Sequence, residues 1–213
     1  MNTLSDLSFA SRAVDENAYR SDCRQATKLP EIRSLDLVDV KVISARRTRD
    51  TRGYFCETFQ RAAFAAHGID NDFIQDNQSK SKHVGTLRGL HFQRPPFAQA
   101  KLVRVLCGRI LDVAVDLRAS SPTFAKHVAI ELSGDGDEQV LIPAGFAHGF
   151  CTLEPDTIVF YKVDQIYSAA HDAGVNWADP RLAIEWPVSA MDAILSDKDR
   201  GLPMLADLPP IFE

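Results

Sequence analysis

The stretch GTLRGLHFQ, residues 85–93, sets an arginine and a histidine three positions apart in what otherwise reads as a short strand. Side chains along a strand alternate between the two faces of a sheet, so i and i+2 share a face while i and i+3 do not. Arg88 and His91 can therefore reach one side together only if the strand carries an extra residue. Gly89, between them, is the residue type that such a bulge accommodates. From this stretch alone His91 is open to three readings: a packed core histidine, a metal ligand or a catalytic base.

The surrounding segments are of the same kind. AKLVRVL (100–106), ILDVAVDL (110–117), KHVAIEL (126–132), QVLIPAG (139–145), FAHGFCTL (146–153) and TIVFYKVDQIY (157–167) are short and rich in Val and Ile. They are punctuated by the turn signals CGR, SSPT and GDGDE. Such residues favour pleated, half-buried backbone, and repeated short strands at this spacing predict an all-β, antiparallel fold, closed or double-sheeted. Upstream, LDLVDVKVISA (35–45) opens the core, and TFQRAAFAAHG (58–68) predicts a short helix stopped by Gly68. Residues 1–34 lack strand periodicity and are set apart as a partly disordered N-terminal extension, leaving 35–213 as one domain. No phosphate-binding glycine loop is present. GDGDE lacks the rest of a calcium-loop ligand set and reads as a solvated turn.

Composition narrows the function classes. A chain of 213 residues, 45% hydrophobic and 25% charged, is long enough for one sizeable core. The net charge of −5 and the pI of about 5.7 argue against a nucleic-acid surface but leave room for a local basic pocket that takes an anionic small molecule. Cys23, Cys56, Cys107 and Cys151 form no CxxC pair, the first twenty residues are too polar for a signal peptide, and no apolar run approaches membrane-spanning length. The expectation is a cytoplasmic protein with reduced thiols and no membrane partner.

Two segments carry the spacing of a cupin-like jelly roll. In the first, Gly85 is followed by His91 and Gln93, with Gly108 closing the hairpin; in the second, Pro143, Ala144 and Gly145 lead to His148. Metal-binding cupins place His-x-His and an acid in the first segment and a last histidine in the second. Here the second histidine is Gln93, and the region of the expected acid reads PPFAQAK. An amide is a weak ligand and the ammonium of Lys101 repels a cation, so no metal and no cofactor are expected. Lys101 is open to a surface reading or to an inward role facing an anion, and Tyr161 to a core reading or a catalytic one. His67, His83, His127 and His171 read as solvated, and Trp177 and Trp186 as packing anchors.

FIQDNQSKSKHVGTLRGLHFQ, AQAKLVRVLCGRILDVAVDLRASSPTF, IPAGFAHGF, FYKVDQIYS, WADPRLAIEWP and LSDKD occur in that order. Over residues 36–205 the chain thereby closely resembles the dTDP-4-dehydrorhamnose 3,5-epimerase family. The resemblance implies a metal-free cupin-like jelly roll with a few short helices, a homodimer that exchanges strands, and inversion of carbons 3 and 5 of dTDP-4-dehydro-6-deoxy-D-glucose. By the family pattern His91 corresponds to the base, Asp199 to the acid that orients it, Lys101 to the cation facing the enolate oxygen and Tyr161 to the proton donor on the opposite face. Arg52, Glu57, Gln75, Asn77 and Arg88 match positions for the nucleotide and diphosphate. His148, Asp172 and Lys198 match further substrate positions, and Tyr167 matches the aromatic residue that stacks on thymine.

The chain departs from the pattern at Ile166, where many members carry a second tyrosine, at Ala100, commonly glycine, and at Asp172, often glutamate. These departures leave a single-centre epimerase of a related dTDP-4-keto sugar as an alternative. A non-catalytic sugar-nucleotide-binding cupin is the reading from another class, and it expects His91, Tyr161 or Asp199 to be lost.

Overall fold

The computed structural model describes residues 30–213. Among them the strands run, in chain order, β1 (Glu31–Ser34), β2 (Lys41–Ser44), β3 (Arg47–Asp50), β4 (Gly53–Cys56), β5 (Gln75–Ser81), β6 (Leu87–Gln93) and β7 (Lys101–Cys107). They continue as β8 (Arg109–Asp116), β9 (His127–Ser133), β10 (Glu138–Ile142), β11 (Phe146–Thr152), β12 (Thr157–Val163) and β13 (Asp172–Gly174). Two short helices interrupt them, α1 (Arg61–Ala65) and α2 (Asp197–Arg200). The predicted helix is α1; Gln60 caps its start, and the chain leaves it through Gly68 at a φ of +74°.

A six-stranded sheet, β1-β2-β10-β7-β12-β5, faces a five-stranded one, β13-β6-β11-β8-β9, and β3-β4 forms a separate hairpin. Every pairing within these sheets is antiparallel, which gives the cupin-like double-sheet jelly roll that the strand pattern predicts. The first strand, β1, lies inside the stretch set apart as an extension and pairs along its whole length with β2. The rest of that stretch, residues 1–29, lies outside the described residues.

The core between the sheets joins Val42, Val103, Val105, Val140, Ile142 and Val159 to Ile110, Ala114, Val128, Leu132, Phe146 and Phe150. Each large side chain removed from water here contributes roughly 1.5–3 kcal/mol. The strands meet this core with alternate residues, so an acid at Val103 would break it. The outer face of the five-stranded sheet is apolar as well. Leu90, Phe92, Val113 and Val115 on it are covered by Val175, Leu182, Leu205 and Phe212 of the C-terminal segment. Trp177 and Trp186 pack edge to face in that layer, with the Trp186 indole N–H donating to the Trp177 carbonyl at 2.9 Å, the anchoring role expected of them. The GDGDE turn differs from a purely solvated one: the Arg47 guanidinium donates to the carbonyls of Gly134, Asp135 and Gly136.

Candidate active site

The site begins with an interruption in β6. His148 pairs with His91 and Phe150 with Arg88, so Gly89 and Leu90 together oppose the single residue Gly149. This is the bulge that the glycine predicts, and it turns Arg88 and His91 to the same inward face. Only glycine fits: Gly89 has a φ of +132°, and a Cβ on it would lie 2.6 Å from the Gly149 Cα.

His91 meets its acid across the sheet edge. Its Nε2 lies 2.5 Å from Asp199 Oδ1. Asp199 is buried and sits in the first turn of α2, where its backbone N–H donates to the Ser196 cap hydroxyl at 3.1 Å. Burial opposes ionisation of Asp199, but the hydrogen bond and charge of His91, helped by Ser196 and Lys198, outweigh it and hold the carboxyl below its ordinary range. A carboxylate only accepts, so Nε2 carries a proton, and in the neutral ring Nδ1 holds the lone pair.

The opposite wall comes from the six-stranded sheet. Tyr161 on β12 pairs with Asn77 on β5 and Val103 on β7, and Val163 pairs with Gln75 and Lys101. Val103 faces the core, so alternation sends Lys101, Tyr161, Gln75 and Asn77 inward with it. Lys101 is 8% exposed and donates to the His91 carbonyl at 3.2 Å. Burial pushes its ammonium down to about 8; Asp112 and Asp172 oppose the shift, and Lys198 adds to it. The Tyr161 hydroxyl is pushed up by burial and Asp172, against the pull of Arg88. Gln75 Nε2 donates to Asn77 Oδ1 at 2.9 Å.

At the rim Asp172 accepts from Lys198 Nζ at 2.5 Å and from the Tyr167 hydroxyl at 3.1 Å. The Tyr167 ring is 57% exposed, a free aromatic face beside the opening. Together these residues enclose about 280 Å³, lined by His91, Lys101, Tyr161, Gln75, Asn77, Tyr167, Asp172 and Lys198, with Phe92, Gln93 and Gln99.

Besides Asp199, which acts through His91, four expected residues do not line this cavity. Arg88, although inward-facing, donates to Ser81 Oγ at 3.2 Å and to the Lys80 carbonyl. His148, the register partner of His91 on β11, is buried and bonded through Nε2 to Asp112 Oδ2 at 2.8 Å. Arg52 sits at the tip of the β3-β4 hairpin in an ion pair with Asp50, and Glu57 lines another cavity of about 570 Å³ beside Phe55 and Gln60. Asp112 is the residue that sequence reasoning missed. An acid on an inward position of the apolar strand ILDVAVDL was the available signal, because such an acid needs a partner. Among the described residues no group of three His, Cys, Asp or Glu side chains could hold a metal ion.

The arrangement places a lone-pair imidazole nitrogen, an ammonium and a phenol around one small polar cavity. That set can remove a proton from carbon, hold the resulting oxyanion and return a proton from another direction. The sequence pattern described as dTDP-4-dehydrorhamnose 3,5-epimerase matches residues 34–207. The chain belongs to the dTDP-4-dehydrorhamnose 3,5-epimerase family.

Several relatives of this epimerase-family chain match it over nearly their whole length. The dTDP-4-dehydrorhamnose 3,5-epimerase of Sinorhizobium fredii is 48% identical over 189 residues, 88% of this chain and 96% of the relative. The crystal structure of the Bacillus anthracis enzyme with TDP and PPi bound has a TM-score of 0.80 at 50% identity, covering 83% of this chain and 99% of that one. The Legionella pneumophila enzyme in complex with dTDP-4-keto-L-rhamnose has a TM-score of 0.81 at 39% identity, covering 84% and 95%.

The departures from the epimerase pattern leave the cavity walls in place. Ala100 is buried and its N–H donates to Asp164 Oδ1 at 2.7 Å, so its extra methyl lies in packed surroundings beside Lys101. Ile166 is half exposed and lines no part of the cavity. Among the described residues no helix is long and apolar enough to cross a membrane.

Proposed function

We propose that this chain inverts carbons 3 and 5 of dTDP-4-dehydro-6-deoxy-D-glucose to give dTDP-4-dehydro-L-rhamnose. Both carbons flank the C4 ketone, so loss of either proton places the negative charge on one oxygen. His91 Nδ1 takes the proton, and Asp199 holds the imidazole and stabilises the imidazolium that forms. Lys101 faces the enolate oxygen in a site with little water, where a fixed cation is worth far more than in solution. Tyr161 supplies a proton from the other side, which turns exchange into inversion. The observation that carries the reading is His91 on one sheet, paired with Asp199 of α2, facing Lys101 and Tyr161 on the other sheet across a single cavity.

The nucleotide is assigned to the rim. Tyr167 offers its face to thymine, and Gln75, Asn77, Asp172 and Lys198 present polar groups to the sugar and diphosphate. Arg52 and Glu57, matched to nucleotide positions, lie outside this cavity, and the hairpin between them leaves Tyr54 and Phe55 50% and 73% exposed. Both facts support a homodimer in which this ribbon serves the cavity of a second copy. Arg88 and His148 then act from behind the cavity wall. The enzyme is assigned to the cytoplasm, where nucleotide sugars are made, without a metal, cofactor, membrane or nucleic-acid partner.

Incubation with dTDP-4-dehydro-6-deoxy-D-glucose in deuterated water, read by NMR, tests the assignment: both carbons should gain deuterium and invert. His91→Asn should abolish exchange at both while retaining dTDP binding. Near-normal exchange in that variant would place the base elsewhere.

A further inference from the structure

Gln93 stands where a metal-binding cupin carries its second histidine, yet its amide is already engaged. It is 4% exposed at the end of β6. Its Nε2 donates to the Phe97 carbonyl at 2.7 Å and to the Ile166 carbonyl at 3.1 Å, and its Oε1 accepts from the Ser168 N–H at 2.6 Å. Both N–H donors are spent on backbone, so the side chain has none left for a ligand.

The two loop residues it grips flank Tyr167. Other amides fasten the same loop: Gln75 Oε1 accepts from the Tyr167 N–H at 3.0 Å, and Gln99 Nε2 donates to the Gln165 carbonyl at 2.6 Å. Asp164, at the start of the loop, accepts from Ala100 N–H and from Asn71. An exposed ring on a surface loop would ordinarily sample many orientations, and ordering it on binding would cost affinity. Here the backbone on both sides of the ring is fixed beforehand from a buried strand end.

We propose that Gln93 is a positioning residue that pre-orders the Tyr167 ring for the nucleotide base, and so sets affinity for the dTDP half of the substrate rather than the rate of proton transfer. This rests on the reading of Tyr167 as the base platform. The division of labour within β6 is then sharp: His91 acts on the sugar, and two residues on, Gln93 acts on the nucleotide through the loop.

The test compares Gln93→Leu and Tyr167→Ala, singly and together, by dTDP titration calorimetry, by kcat and KM, and by amide hydrogen exchange. Gln93→Leu should weaken dTDP binding and raise KM by about tenfold, a fraction of the stacking contribution of one base, while kcat changes by less than about twofold. Exchange at the Tyr167 and Ser168 amides should rise. In the Tyr167→Ala background the same change should alter dTDP affinity by no more than about twofold, because it acts through the missing ring. Gln93→Asn, with the amide one methylene short, should show the same split in smaller measure and serves if the leucine variant does not fold. Undiminished dTDP affinity in the Gln93 variants, where Tyr167→Ala has lost it, would overturn the positioning role alone. A loss in kcat without a change in affinity would overturn it too. Normal dTDP binding by Tyr167→Ala would refute the platform reading and the proposal with it, without touching the assignment of His91 as base.

Discussion

His91 Nε2 and Asp199 Oδ1 stand 2.5 Å apart although they are 108 positions apart in sequence. One belongs to a central strand and the other to a four-residue helix in the C-terminal layer. The base is therefore assembled by packing that layer onto the sheet, and its acid is held by a helix cap rather than by the strand that carries the imidazole.

Asp199→Asn keeps the shape but removes the charge that steadies the imidazolium. Turnover should fall by about 10–100-fold with little change in KM. Steady-state kinetics with a dTDP-binding control checks this; an unchanged kcat would make the pair structural.

Tyr161→Phe keeps the ring in the core and removes the hydroxyl. His91 can still abstract a proton, but nothing waits on the far face, so the enolate is reprotonated mostly from the side it left. Deuterium incorporation should fall much less than inversion, with the larger deficit at carbon 5. Equal losses would make Tyr161 a binding or structural residue.

Lys101 gives a pH signature on two observables. Its ammonium is depressed to about 8 from an ordinary 10.5, so the cation, and with it kcat, should be lost as pH rises through about 8. Stability should move the other way. Below that value both the folded and the unfolded chain hold the proton and the folded state bears the desolvation cost, on the order of 3 kcal/mol. Between the two values the unfolded chain binds the extra proton, so stability gains with rising pH. Lys101→Met should be inactive, more stable than the parent at pH 7, and should lack that gain in urea titrations across the window.

Asp112 and His148 form a buried pair behind the cavity wall. Asp112→Leu leaves the imidazole N–H without a partner in a dry setting and should lower the unfolding free energy by about 2 kcal/mol. Asp112→Asn retains an acceptor oxygen and should lose less. Urea unfolding of the two variants separates hydrogen bonding from packing.

The strands from β6 to β12 were legible because each pairs an apolar face with a turn signal at its end. β5 was not: QDNQSKS holds no apolar residue, since its inward side chains, Gln75, Asn77 and Ser79, face a polar cavity or the sheet's margin rather than oil. β1 and the β3-β4 hairpin were hidden for a related reason, being edge or projecting strands with little burial to imprint a period. In the site, the bulge at Gly89 was legible and let Arg88 and His91 share a face, whereas alternation along their own strands left Lys101 and Tyr161 open until the sheet pairing fixed their direction. The union with Asp199, the Asp112–His148 pair and the grip of Gln93 on the Tyr167 loop are long-range contacts, and no local periodicity encodes them. Family resemblance pointed to Asp199, and it likewise matched Arg88 and His148 to substrate positions, which no local pattern in the strands decides.

The doubled residue opposite Gly149 has a consequence for anyone transplanting this chemistry. A designer copying β6 onto a regular strand would keep the spelling and lose the phase: with Arg88 turned inward, His91 would point through the sheet into oil, and the reverse. Deleting Gly89 would keep Arg88 and His91 on one face, as i and i+2, but would remove the bend that the bulge puts into the strand. The count of residues between the two side chains, together with the missing Cβ at the crossing, belongs to the active site as much as the side chains themselves, and a graft must carry the strand and its glycine-bearing neighbour as one piece.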